Sequence, residues 1–217
     1  MTTMRFFVIG SWTEGLFHFQ KLKPFIVSNQ PASLRALVYK LPIGFPVIVA
    51  QNNSNSVGAD INAEQIIEQA DEIIGQLLEL KNDDTLLTLM DSLHGVRLAD
   101  PSKGLHKRSS VKVTTSSGDQ DEAKVYFFNP LKLKANAHRI MGGVWREYLT
   151  LNPPLTERLT EKQKTYILKL GSIKGRDIVP INDLTLYREL MKLELIDDKG
   201  RRLALSSLGK EVYKHLI

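Results

Sequence analysis

Met90-Asp91-Ser92-Leu93-His94-Gly95 closes a run, Thr85-Leu86-Leu87-Thr88-Leu89-Met90, whose leucine spacing predicts a helix. Asp91 and His94 are three residues apart, which places an acid and an imidazole on one face of that helix. An isolated histidine at a helix end reads as a residue packed beside Gly95 and hydrogen-bonded to backbone. The sequence on either side gives this one a different context.

Upstream, Arg5-Phe6-Phe7-Val8-Ile9 is a short apolar strand that runs into Gly10-Ser11-Trp12-Thr13-Glu14-Gly15. A strand feeding a small-residue turn exposes backbone N–H groups at the strand end. Gly44-Phe45-Pro46-Val47-Ile48 and Ile73-Ile74-Gly75-Gln76-Leu77-Leu78-Glu79-Leu80 follow before the helix. Downstream, His106-Lys107-Arg108-Ser109-Ser110-Val111-Lys112-Val113 and Ala123-Lys124-Val125-Tyr126-Phe127-Phe128 flank a polar turn at Ser116-Ser117-Gly118-Asp119, which predicts a hairpin.

In this order and spacing the six blocks, residues 5–128, resemble the gamma-glutamylcyclotransferase-like (AIG2-like) superfamily. Its pattern runs Y-G-(S/T)-L-x-x-G, then G-x-P, V-x-G-x-L-(Y/W), L-D-x-x-E-G, Y-x-R-x-x-V and A-x-V-Y. The resemblance implies an α+β fold, a small mixed β-barrel with flanking helices. Two positions depart from the pattern: Ile9 stands where the family has tyrosine, and His94 where it has the glutamate that serves as acid and base.

In the reaction the resemblance implies, the substrate's α-amine attacks its own γ-carbonyl, closes the five-membered lactam of 5-oxoproline and expels an amine. The protein must hold the chain folded, take a proton from the α-ammonium and return one to the leaving nitrogen. A carboxylate both attracts the ammonium and accepts its proton. An imidazole with an ordinary pKa of about 6.5 can move the proton but forms no ion pair with the amine. His94 is thus the catalytic candidate at the family glutamate position, with cyclisation more readily lost than kept. Ile9, Gly10, Ser11, Trp12, Arg108 and Tyr126 are the substrate-binding candidates, the turn amides being suited to a carboxylate or an oxyanion. Among other carboxylates, Asp91 has a supporting place in the motif and Glu14 reads as a solvated loop residue.

A helical pattern spans 135–148, with Ile140, Met141, Val144 and Trp145 as its apolar residues, and Pro153-Pro154 then marks a boundary. The expected domains are 1–150 and 155–217. Beyond the boundary, Thr160 caps a helix over 160–170, and Asn182-Asp183 caps a second over 184–193 with Leu184, Tyr187, Leu190, Met191 and Leu193 as its buried stripe. A hairpin over 195–205 has Asp198-Lys199-Gly200 at its tip, and Ser206 opens a last helix. This succession resembles the winged-helix fold. Residues 154–217 hold 13 Lys and Arg against 9 Asp and Glu, +4 of the chain's +5. Lys199, Arg201 and Arg202 are therefore the nucleic-acid candidates, with a protein-interaction or dimerisation unit as the competing reading.

With 217 residues, 42% of them hydrophobic and 24% charged, the chain has ordinary globular composition. It has no cysteine, which excludes disulfides, thiolate nucleophiles and cysteine-ligated zinc. Histidines 18, 94, 106, 138 and 215 show no i, i+4 pair, so neither a metal nor a cofactor is expected. No apolar run reaches membrane-spanning length and Met1-Thr2-Thr3-Met4-Arg5 opens no leader, so the expected location is cytoplasmic. The expected partners are a small γ-glutamyl or amine-containing ligand, DNA through the C-terminal domain, and a second copy of the chain.

Two function classes follow. One is a gamma-glutamylcyclotransferase-type enzyme with His94 in the glutamate position. The other is a non-catalytic sensor or regulator that acts through the winged-helix-like domain on DNA or protein.

Overall fold

Strand β1 (Thr3–Val8) buries side chains in two directions. Phe7, and Ile9 just past the strand, join one apolar cluster, whereas Met4, Phe6 and Val8 join another. Successive side chains of a strand point to opposite faces, so one strand feeds two cores. The computed structural model describes residues 2–50, 70–134, 137–173, 178–200 and 202–217.

After β1 come a short helix α1 (Phe19–Leu22), β2 (Ile26–Lys40), β3 (Pro46–Val49), β4 (Asp71–Lys81) and α2 (Asp84–Leu93). The hairpin β5 (His106–Thr115) and β6 (Gln120–Phe128) and the short β7 (His138–Ile140) complete the sheet. The strand order β1-β4-β2-β3-β6 returns to β1 through a β1–β6 pairing, which closes a five-stranded barrel. The β3–β6 and β6–β1 contacts are parallel, at Ile48↔Phe127 and Phe6↔Lys124, and the others antiparallel. Ala36, Val38, Ile73, Leu77, Val125 and their neighbours fill the interior. The second cluster unites Phe6, Leu78 and Leu80 with Phe19 and Leu22 of α1 and Leu86 and Met90 of α2. An α+β barrel with flanking helices is the architecture expected of the N-terminal blocks.

The segment 135–148 differs from the single helix the spacing predicts. Its residues 138–140 form β7, antiparallel to β2 with Val38↔Ile140, and a helical turn over Met141–Gly143 precedes α3 (Trp145–Leu151). Gly142 and Gly143 adopt positive φ of 66° and 67°, and a Cβ on Gly143 would lie 2.4 Å from the Glu72 carbonyl oxygen. Glycine permits that turn and that approach, and the helix begins only after it. Ile140 and Trp145 are buried as expected, but Met141 and Val144 are exposed. Ala135 lies outside the described residues.

The chain divides into two compact units, Met1–Leu41 with Phe45–Leu151, and Pro42–Gly44 with Asn152–Ile217. The second unit contains α4 (Leu155–Arg158), α5 (Glu161–Gly171), α6 (Leu184–Lys192), the hairpin β8 (Ile196–Asp198) and β9 (Leu203–Leu205), and α7 (Ser207–Leu216). A capping box starts α5: Gln163 N–H donates to Thr160 Oγ1 at 3.3 Å, and Thr160 N–H donates to Gln163 Oε1 at 2.9 Å. Asp183 caps α6 by accepting from the Thr185 and Leu186 N–H groups. The buried stripe of α6 is Leu186 and Leu190, while Leu184 is 67% and Met191 37% exposed. Leu184 sits two residues before Leu186, about 200° around the helix, so the buried i, i+4 pair turns it outward. Among the described residues no helix is long and apolar enough to cross a membrane.

Candidate functional site

The Gly10–Trp12 turn takes its shape from Gly10, whose φ is +62° and whose Cβ, were there one, would lie 2.6 Å from Pro46 Cγ. No other residue fits this backbone and this approach without strain. Thr13 closes the turn, its N–H and Oγ1 both donating to the Gly10 carbonyl at 3.0 and 2.8 Å. The chain then doubles back, and the His18 N–H donates to the Ser11 carbonyl at 2.7 Å. Ser11 Oγ meets His18 Nδ1 at 2.6 Å in a fully buried pair. The indole of Trp12 stacks on the His18 ring, centroids 4.6 Å apart and planes 18° apart.

The end of α2 approaches from the other side. The His94 N–H caps the helix on the Met90 carbonyl at 3.0 Å, and Nδ1 reaches the same oxygen at 2.8 Å. A carbonyl has no proton to give, so Nδ1–H is the donor, and in the neutral form of such a ring the lone pair sits on Nε2. The imidazole stacks on Tyr126 at 3.8 Å and 6°, and on Trp12 at 5.0 Å and 22°. His106 meets it edge-on at 5.1 Å. With Phe6 stacked on Tyr126 at 5.8 Å, a series of five rings, His18, Trp12, His94, Tyr126 and Phe6, runs through the site.

Strand register explains the rest. Arg108 and Tyr126 are direct partners across β5–β6, as are His106 and Phe128, and cross-strand partners share a face. That face meets α2. Arg108 contacts both Asp91 carboxylate oxygens at 2.7 Å, and the Tyr126 hydroxyl donates to Oδ1 at 2.7 Å. Burial, and then the Asp91 carboxylate, hold the Tyr126 phenol well above its usual pKa, so it stays protonated as the donor. His106 donates from Nδ1 to the His94 carbonyl at 2.6 Å, and burial pushes its pKa down to about 4.

Of the expected site residues, Gly10, Ser11, Trp12, His94, Arg108 and Tyr126 come together. Ile9 does not join them: its side chain is 6% exposed and packs in the interior cluster with Phe7 and Val38, because alternation along β1 turns it inward. Glu14 is exposed and bonds Asn29. His18 and His106 are site residues that spacing did not single out. His106 carried a signal in its i, i+2 relation to Arg108, whereas His18 arrives by a loop return that has no period. In the second unit Lys199 pairs with Asp197 at 3.4 Å, Arg202 is exposed, and Arg201 lies outside the described residues. Among the described residues no group of three His, Asp or Glu side chains could hold a metal ion.

The arrangement can move a proton at the His94 edge. Asp91, the other acid of the motif, already balances Arg108 and accepts from Tyr126. Trp12 occupies the space between the glycine turn and His94.

Several solved structures are similar to part of this chain. YkqA from Bacillus subtilis is 18% identical over 69% of this chain and 42% of its own, with a TM-score of 0.45. This chain thus spans less than half the length of that protein. An AIG2-like protein from Mus musculus is 15% identical over 62% of this chain and 86% of its own, TM-score 0.41. The uropathogenic E. coli-specific protein c4763 is 16% identical over 69% and 98%, TM-score 0.44. No curated protein matches the chain in sequence. The sequence pattern of the family described as gamma-glutamyl cyclotransferase, AIG2-like, matches residues 6–147. That stretch runs from β1 into α3 and takes in both sides of the ring series, and the chain belongs to this family.

Proposed function

We propose that this chain is a non-cyclising member of its family, a ligand-responsive regulator whose N-terminal domain keeps the pocket scaffold without the carboxylate. The observation that carries this reading is the Trp12–His94 stack, 5.0 Å between centroids, at the position where the reaction needs an acid facing the substrate amine. An imidazole there supplies no counter-charge for an ammonium, and the indole lies stacked against it. Asp91 cannot take over, because releasing it from Arg108 and Tyr126 would strand a largely buried guanidinium.

A second reading has one observation in its favour. The His94 Nδ1–H bond to Met90 O leaves Nε2 as the basic atom, the arrangement a histidine base requires. Gain of function separates the two. His94→Glu, alone and with Trp12→Leu, should acquire 5-oxoproline release from γ-glutamyl amides that the native chain lacks. Native release that falls in His94→Glu would favour the histidine enzyme.

The second unit has the helix, helix, hairpin and helix order that resembles a winged helix, and it would carry the output. Its α6 turns Leu184, Arg188 and Met191 to solvent, and Lys199 is engaged by Asp197. An apolar face with one arginine suits a protein partner better than base edges, which call for Arg, Asn and Gln in register.

A further inference from the structure

The second unit carries a groove of about 310 Å³ between the segment 178–181, the start of α6 and the β8–β9 hairpin. Ile178, Leu184, Tyr187 and Leu203 supply apolar lining, and Asp198 and Arg202 the charge. Of these lining residues, Ile178 and Leu184 are 62% and 67% exposed. Single exposed apolar side chains are ordinary, but two large ones projecting at the edge of an apolar groove form a patch that water solvates poorly.

The charges of the groove are only half used. Tyr187 Oη–H donates to Asp198 Oδ2 at 3.0 Å and Gly200 N–H to Oδ1 at 2.7 Å, which fixes the carboxylate while leaving it lone pairs. Arg202 is exposed, and no carboxylate among the described residues pairs with its guanidinium. One surface therefore holds an exposed apolar pair, the groove that the pair helps to line, a fixed anion and an exposed cation. A surface that contains both halves of each contact is self-complementary, the requirement for a two-fold interface.

We propose that the groove is a homodimer interface, in which Ile178 and Leu184 of one copy enter the groove of a second and each Arg202 meets the other copy's Asp198. Apolar burial supplies the drive, and the rim pairs set the register. This deepens the reading of the second unit as protein-binding and does not depend on chemistry at His94. Its failure would show in assembly state, and failure of the non-cyclising reading would show in turnover. Dimerising through the start of α6 also withdraws that helix from any major groove.

Sedimentation velocity on the full chain over about 1–100 µM tests it. The expected result is a dimer that becomes monomeric in Leu184→Asp with unchanged circular dichroism. Arg202→Asp should weaken association about tenfold, and adding Asp198→Arg should restore it, since the swapped pair is again complementary. Should Asp198→Arg disturb the hairpin, Ile178→Asp and Arg202→Asp still decide the matter. A native chain that stays monomeric across this range overturns the proposal, as does a dimer indifferent to Leu184→Asp. So does a monomer that binds a labelled DNA duplex and loses that binding in Leu184→Asp.

Discussion

Asp91 organises the site through its partners. Its carboxylate holds Arg108 and Tyr126, and the ring of that tyrosine is the surface on which His94 lies. With side-chain exposures of 13% and 19%, the Asp91–Arg108 pair is largely buried, so removing one partner strands the other. Asp91→Ala is expected to cost about 3–5 kcal/mol in urea unfolding. His106 gives a pH signature. Its pKa falls from 6.5 to about 4 on folding, so between these values the unfolded chain binds the extra proton. Stability therefore rises with pH across this window and is lost on acidification through it. In His106→Asn, whose amide can still donate to the His94 carbonyl, the acid-side slope of stability from about pH 6.5 to 4 should flatten, as read by thermal melts. At this scale the sequence singled out His94, as the residue that the resemblance sets at a carboxylate position. It could not reveal the ring series, because His18 and Trp12 meet through a loop return and Tyr126 arrives from a distant strand.

Elements were legible where local period and cap agreed. The β5–β6 hairpin has a polar glycine turn between apolar arms, and α5 has both residues of its capping box written three apart. Thr160→Ala should lower the stability of the second unit by about 1 kcal/mol, measured by chemical denaturation. Where period and backbone disagreed, the backbone prevailed. Ile140, Met141, Val144 and Trp145 have helical spacing, but the adjacent positive-φ glycines end one element and begin another. In α6 the sequence offers several leucines, Asp183 fixes where the helix starts, and burial of the i, i+4 pair Leu186 and Leu190 turns Leu184 outward. That rotation leaves the apolar surface from which the dimer is inferred.

At the scale of the whole molecule, a family barrel is joined in one chain to a smaller unit that holds most of the net positive charge. The barrel was readable from six ordered blocks, each weak alone, because a closed five-stranded ring tolerates changes at the site its strands frame. On the proposed reading, fold and activity separate in this chain: Gly10, Asp91, Arg108 and Tyr126 frame the site, and His94 stands where the resemblance places the acid. The most direct test is 5-oxoproline release by the native chain from a panel of γ-glutamyl amides and dipeptides at about pH 5.5 to 9. Release no faster than the uncatalysed reaction at every pH is the expected result. Release that follows one ionisation near neutrality and disappears in His94→Ala would contradict it, and would make histidine the base of a working cyclotransferase.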